Sequence, residues 1–201
     1  MTNDVGYTWH CVTECAPFAP RDGAGALVYD GRMWLLGGWN PCDKTHFPRI
    51  CNNEVWSSQD GQDWMLIKPN TFLDKHFDSS ADWEGRHTAG YAVHNGRMWI
   101  IGGDVNQGHY HTDVWHSTDG VCWTQANPSA PVPWGPRALH YTVVMHGKIW
   151  IMGGQTVPQL AAEEERRYSD LWNSEDGLHW DRVLRREPAW APRGMIGGSA
   201  V

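Results

Sequence analysis

No apolar segment of this 201-residue chain approaches the ~20 residues needed to cross a bilayer, so no membrane partner is expected. Charge of one sign is not in large excess. Sixteen Lys and Arg stand among 23 Asp and Glu, for a net charge of -7, and this mixed, slightly acidic surface argues against nucleic acid as a partner. Catalytic motifs are missing too: there is no phosphate-cradling glycine loop, no nucleophile elbow and no secure metal-ligand set. No metal and no other cofactor is therefore expected, and the sequence leaves open whether the chain is an enzyme. Cysteine is sparse, and the count of 5 leaves at least one unpaired. Cys42 and Cys51 share a loop and could form a disulfide in an oxidising compartment. With His46 between them they also offer three zinc-type donors. Residues 1–12 carry neither the charged nor the apolar region of a signal peptide, and the compartment stays open.

The chain is rich in turn formers and tryptophan, with 22 Gly, 12 Pro and 14 Trp, and these residues recur in register. An arginine opens each copy, at Arg21, Arg86, Arg137 and Arg193. At one fixed offset from the first three comes a turn glycine (Gly31, Gly96, Gly147), and at a second a doublet (Gly37-Gly38, Gly102-Gly103, Gly153-Gly154). After a loop of variable length the pattern locks again at Glu54-Val55-Trp56, Asp113-Val114-Trp115 and Asp170-Leu171-Trp172. Each is followed by SxDGxxW, at residues 58–64, 117–123 and 174–180.

Residues 86–125 illustrate the unit. Asn95-Gly96 and Asp119-Gly120 are hairpin signals, and they divide residues 88–93, 98–101, 112–116 and 121–125 into four short strands of an antiparallel meander. Such a sheet cannot bury both faces alone. The pattern predicts complete blades at residues 17–68, 82–127 and 133–185, flanked by a last strand at 1–16 and a first strand at 190–201. The flanking pieces are a first and a fourth strand, which cannot complete a blade between two copies of the chain. A fragment of a longer protein is therefore expected, with its oligomeric state open.

A hydrophobic run, Gly-Gly and then an aromatic and tryptophan, at a period of about 50 residues, resembles the kelch repeat. The resemblance implies an all-β fold, a β-propeller of four-stranded antiparallel kelch-like blades, here three complete blades with parts of two others. Tryptophan stands where the kelch pattern usually has tyrosine. The SxDGxxW hairpins are similar to the Asp-box of sialidase-type propellers, one residue shorter between Asp and Gly. What the resemblance implies first is a binding module that holds a protein or peptide partner. The alternative is a carbohydrate-related enzyme or glycan binder, since similar propellers include sialic acid mutarotases and copper-dependent galactose oxidases.

Antiparallel connectivity puts the tight turns on one face and the long, variable loops on the other, and loops that vary make the second face the binding candidate. Arg21, Arg86, Arg137 and Arg193 are predicted to ring the channel mouth there. They would either grip an anionic ligand such as a carboxylate or pair with Glu54, Asp113 and Asp170. Trp39 is the one tryptophan outside the repeat, placed to stack on a sugar, anchor a partner or pack within its own loop. His87 and His140 lie near the channel mouth as acid–base candidates or as packing residues. His109 and His111, with His116 nearby, are ligand-binding candidates that could supply imidazoles to a metal, although side chains two apart on an extended segment share a face by simple alternation. The third long loop reads as a charged surface segment or as a short helix over residues 160–167, supported by Glu163 and Arg167.

Overall fold

Asp30-Gly31, Asn95-Gly96 and His146-Gly147 hold two successive residues at positive φ, from 48° to 71°. That conformation matches the right-handed twist of the strands it joins, so each pair closes a two-residue hairpin. The computed structural model describes residues 9–105, 108–159, 161–183 and 190–194. Three four-stranded antiparallel sheets follow one another along the chain. The first contains β1 (Gly25–Tyr29), β2 (Arg32–Leu36), β3 (Val55–Ser58) and β4 (Trp64–Lys68). The second contains β5 (Gly90–His94), β6 (Arg97–Ile101), β7 (Val114–Ser117) and β8 (Thr124–Gln125). In the third, β9 (Tyr141–Met145) and β10 (Lys148–Met152) lead into a small hairpin of β11 (Gln155–Thr156) and β12 (Arg166–Arg167), after which β13 (Leu171–Ser174) and β14 (Asp181–Arg182) finish the sheet. There is no helix among the described residues. β1, β5 and β9 lie beside one another, so the first strand of every sheet is the inner one. The described residues form three blades of an all-β propeller fold.

The turn between the third and fourth strands is held by its own side chains. Ser58 Oγ accepts from the Gly61 amide at 2.8 Å, Asp60 Oδ1 accepts from the amides of Gln62 and Asp63, and Trp64 Nε1 donates to the Gly61 carbonyl. Ser117, Asp119 and Trp123 repeat these bonds, as do Ser174, Asp176 and Trp180. This closed set keeps the chain in a turn up to the tryptophan in the second blade, so β8 begins at Thr124 rather than at residue 121. Inner strands also start late, because Thr88 sits at φ 54° and bends the chain ahead of Gly90.

Blades adhere through tryptophan. Trp34 of β2 packs with Met98, Ile100, Trp115 and Trp123 of the next blade. Trp99 and Ile101 pack likewise with Ile149, Ile151, Trp134 and Trp180. The receiving slot is a turn glycine: a Cβ on Gly120 would lie 2.5 Å from the Trp34 ring, and one on Gly177 would lie 2.2 Å from that of Trp99. Trp83 and Trp134, just ahead of the opening arginines, meet Trp123 and Trp180 edge to face at 5.6 and 5.9 Å, a favoured aromatic geometry. Trp99 is 1% exposed, whereas Trp150, its counterpart in the third blade, is only half-buried.

The third loop and the cysteines decide against three of the alternatives left open by the sequence. Residues 161–167 form no helix; Thr156 and Gln155 instead pair with Arg166 and Arg167 as a strand, and the two arginines contact Glu164 and Glu165 rather than Glu163. Backbone pairing across the loop replaces the local helix because β10 and β13 already align its two ends. Cys42 and Cys51 are both free, one exposed and one buried, and neither joins His46 in a metal-ligand group among the described residues. Cys51 is held inward by backbone pairing with Trp39, and burial pushes its thiol upward and out of reach of ionisation. No strand occupies residues 9–12. Residues 13–16 and 190–194 hold no strand either, and the remainder of the expected flanking pieces, residues 1–8 and 195–201, lies outside the described residues.

The glycine doublets give a direct test. Gly103 has φ 95° and a Cβ there would lie 2.7 Å from Ala89 Cβ, whereas Gly96 has φ 65° and open space around it. Gly96→Ala should cost about 1–2 kcal/mol from left-handed backbone strain alone. Gly103→Ala should cost roughly 3 kcal/mol or more, because overpacking adds to the strain. Equilibrium urea unfolding of the two variants measures the difference, and equal midpoints would refute it.

Candidate functional site

The doublets place every opening arginine. Arg21 Nη1 donates to the Gly37 carbonyl at 3.0 Å, Arg86 Nη1 to Gly102 at 3.0 Å and Arg137 Nη1 to Gly153 at 2.9 Å. The same guanidinium reaches the acid that starts the third strand. Arg86 and Arg137 take Asp113 and Asp170 as two-pronged pairs, with contacts of 2.6 to 3.1 Å, and Arg21 takes Glu54 at 2.7 Å. The carboxylate then accepts from the indole two residues on, at Trp56, Trp115 or Trp172. Arginine side chains in these pairs are at most 4% exposed. They are therefore consumed in holding three strands together, and the pairing alternative of the sequence is what the structure contains. Arg193 keeps the backbone half of the pattern: its carbonyl accepts from the Gly154 amide as those of Arg86 and Arg137 accept from Gly38 and Gly103.

Burial alone would raise the Asp113 carboxyl, but Arg86 and the Trp115 indole hold it well below the usual carboxylate range. Asp170 is lowered in the same way, burial being outweighed by hydrogen bonding and charge from Arg137.

His140 is buried and neither ring nitrogen has a protein partner; burial and the Arg137 charge push it down to about 3. It packs as a neutral ring behind Trp134 and is not presented to solvent as an acid or base. His87 is also buried, 3.0 Å from Asp104 Oδ1. Burial opposes its protonation, yet Asp104 raises it above the ordinary histidine value. Trp39 is half-buried, its backbone bridges Asp22 to Cys51, and its ring tilts against His87.

The loops after the doublets are joined across blades. Tyr110 Oη donates to the Val157 carbonyl at 2.9 Å and accepts from the Val157 amide at 2.7 Å, while Gly108 bridges to Ala161. With Tyr110 turned toward the third blade, His109 and His111 project together on the other side, ring centroids 4.9 Å apart. Glu84 meets them from the segment entering the second blade, its Oε2 2.9 Å from His109 Nε2. These three are the one group of His, Cys, Asp and Glu donors among the described residues close enough to share an ion, with ligand atoms within 4.8 Å of one another. They line a cleft of about 230 Å³ with Ser79 and Thr112. Hydrogen bonding to the Glu84 carboxylate raises His109, whereas burial and the Arg86 charge press His111 well below the usual value and keep it neutral.

Sequence reasoning missed Glu84. Its place two residues ahead of the opening arginine is taken by Ala19, Gly135 and Ala191 in the other copies, so an ionisable residue there is an unrepeated feature and was the available signal. Two further clefts lie on the loop face, about 520 Å³ beside Asp74, Lys75, His76 and Phe77, and about 320 Å³ beside Asn127 and Pro131.

The class defined by these sheets is the β-propeller. No family model matches the chain, and no curated protein sequence does. Among solved structures 192 chains match. One, titled "Structure of YjhT", aligns with TM-score 0.62 at 15% identity over 89% of this chain. The chain spans 55% of that structure's length, and the likeness supports the fold alone.

Loss of one partner of a buried pair leaves the other charge uncompensated, so Asp170→Asn should destabilise the chain by about 3 kcal/mol. A carboxyl whose folded value is depressed contributes stability that is present above the ordinary Asp value of 3.8 and is lost as pH falls through the lower folded value. Melting temperature followed by circular dichroism should therefore fall below about pH 4, and fall less steeply in Asp170→Asn. Parallel profiles would remove Asp170 from the linkage.

Proposed function

We propose that the chain is part of a kelch-type propeller that binds a protein or peptide through its loop face. The observation that carries this is the complete use of Arg21, Arg86 and Arg137 within their own blades. An anionic sugar or carboxylate would have to break a buried ion pair to reach them, at a cost beyond that of an exposed arginine. What varies between blades, and so can carry specificity, is the set of long loops, whose clefts are wide and open to solvent. Phe47 is 56% exposed in the first of these loops, and an exposed aromatic of this kind suits the centre of a protein contact. Linkage of the second and third loops by Tyr110 presents a preformed surface, which lowers the ordering cost of association.

The experiment is selection of peptides from a random displayed library against the purified chain, with a glycan panel titrated in parallel. Phe47→Ala and Lys75→Glu on the loop face should weaken a selected peptide about tenfold or more, or at least 1.4 kcal/mol. Leu178→Ala in a turn on the opposite face should leave it unchanged. Glycan binding with no peptide selected, or peptide affinity insensitive to both loop-face changes, would overturn the proposal in favour of the carbohydrate alternative.

A further inference from the structure

We infer that Glu84, His109 and His111 form a binding site for a divalent transition metal of the zinc class on the second blade. Two imidazoles and one carboxylate are the donor set of borderline cations, and they exclude the all-oxygen shells that calcium and magnesium require. Three protein ligands leave the fourth tetrahedral position for water or a donor from a bound partner. Zinc lies about 2.0–2.1 Å from such donors, which sets tetrahedral ligand atoms about 3.3 Å apart. Glu84 Oε2 and His109 Nε2 already stand 2.9 Å apart, and all three ligand atoms lie within 4.8 Å of one another.

Each ligand is fixed through its backbone. The His111 amide donates to the Gly103 carbonyl, the His109 carbonyl accepts from Val105, and the Glu84 carbonyl accepts from Arg86 Nε. His111 Nε2 is buried without a protein partner, which leaves that nitrogen available to a cation. Asp113 is already committed to Arg86 and Trp115, so it does not compete as a ligand.

Blade architecture does not account for the cluster. The places of Glu84 and His111 are held by Ala19 and Asn52 in the first blade and by Gly135 and Tyr168 in the third, and both of those blades form the same sheet. His46 with Asp43 and His179 with Asp176 are exposed histidine–aspartate pairs three residues apart at turns, and neither belongs to a donor group of three among the described residues. They serve as controls.

The test uses the chain dialysed against a chelator and titrated with ZnCl2 by calorimetry, with CoCl2 absorption as a report of tetrahedral geometry. One equivalent of zinc should bind stoichiometrically at micromolar protein and raise the melting temperature, since binding to the native state alone stabilises it. His109→Ala and Glu84→Gln, at positions that leave the core intact, should each weaken binding by about tenfold or more, and His111→Ala should do the same if it folds. His179→Ala should have no effect. Absence of zinc binding by the unsubstituted chain, or binding that survives both His109→Ala and Glu84→Gln, overturns the site, as does binding lost in His179→Ala.

Discussion

The bond from each opening arginine to the first carbonyl of a glycine doublet is the constraint on which the blades depend. At the end of the second strand the doublet turns through two left-handed residues, φ 57–62° and then 95–105°, which only glycine adopts in succession at low cost. The turn exposes a carbonyl to the guanidinium on one side and an amide on the other. That amide donates to the arginine carbonyl of the next blade, Gly38 to Arg86, Gly103 to Arg137 and Gly154 to Arg193. One short segment thus ties strands one, two and three of its own blade and docks its neighbour. Because each blade contacts only adjacent blades, repeating this knot is sufficient to repeat the architecture.

The knot also separates structure from recognition. Arginine forks and carboxylates match geometrically, so a buried arginine paired in this way is a fixed girder with little left to offer a ligand. The residue two positions before each acid shows how much freedom remains beside it. Asn52 accepts a hydrogen bond from Arg21, the Tyr168 ring centre lies 3.8 Å from Arg137 Cζ, and His111 stands beside Arg86 as a neutral ring. The guanidinium tolerates an amide, a phenol or an imidazole there, and variation at this position changes the loop face while leaving the blade intact.

Much of this was legible in the sequence because the relevant chemistry is local or periodic. Hairpin turns follow from Asn-Gly and Asp-Gly, and the pairing of arginine with the third-strand acid follows from both recurring together. What was not legible depended on neighbours that sequence spacing does not reveal. Residues 161–167 carry a helix-compatible charge pattern, yet the ladder of β10 and β13 holds the loop's ends at strand spacing, so backbone pairing outweighs a propensity worth a few tenths of a kcal/mol per residue. Glu84 and His109 lie far apart in sequence, and they meet only because the inner strand of the second blade enters beside the loop that leaves its second strand.

That meeting follows from the topology and would not arise inside a strand. In any four-stranded antiparallel meander, the segment entering strand one and the loop joining strands two and three emerge on the same face. The backbone brings them to hydrogen-bonding distance in every blade, through Asp22 with Trp39, His87 with Asp104 and Ala138 with Gln155. Side chains at these two places are therefore neighbours by construction. In the first and third blades one of the two is Ala19 or Gly135, with no polar group to bring, and only the second blade sets a carboxylate against imidazoles. A site built in this way can be gained or lost by changing residues on the loop face, since the arginine, the acid and the glycines that position it are occupied elsewhere.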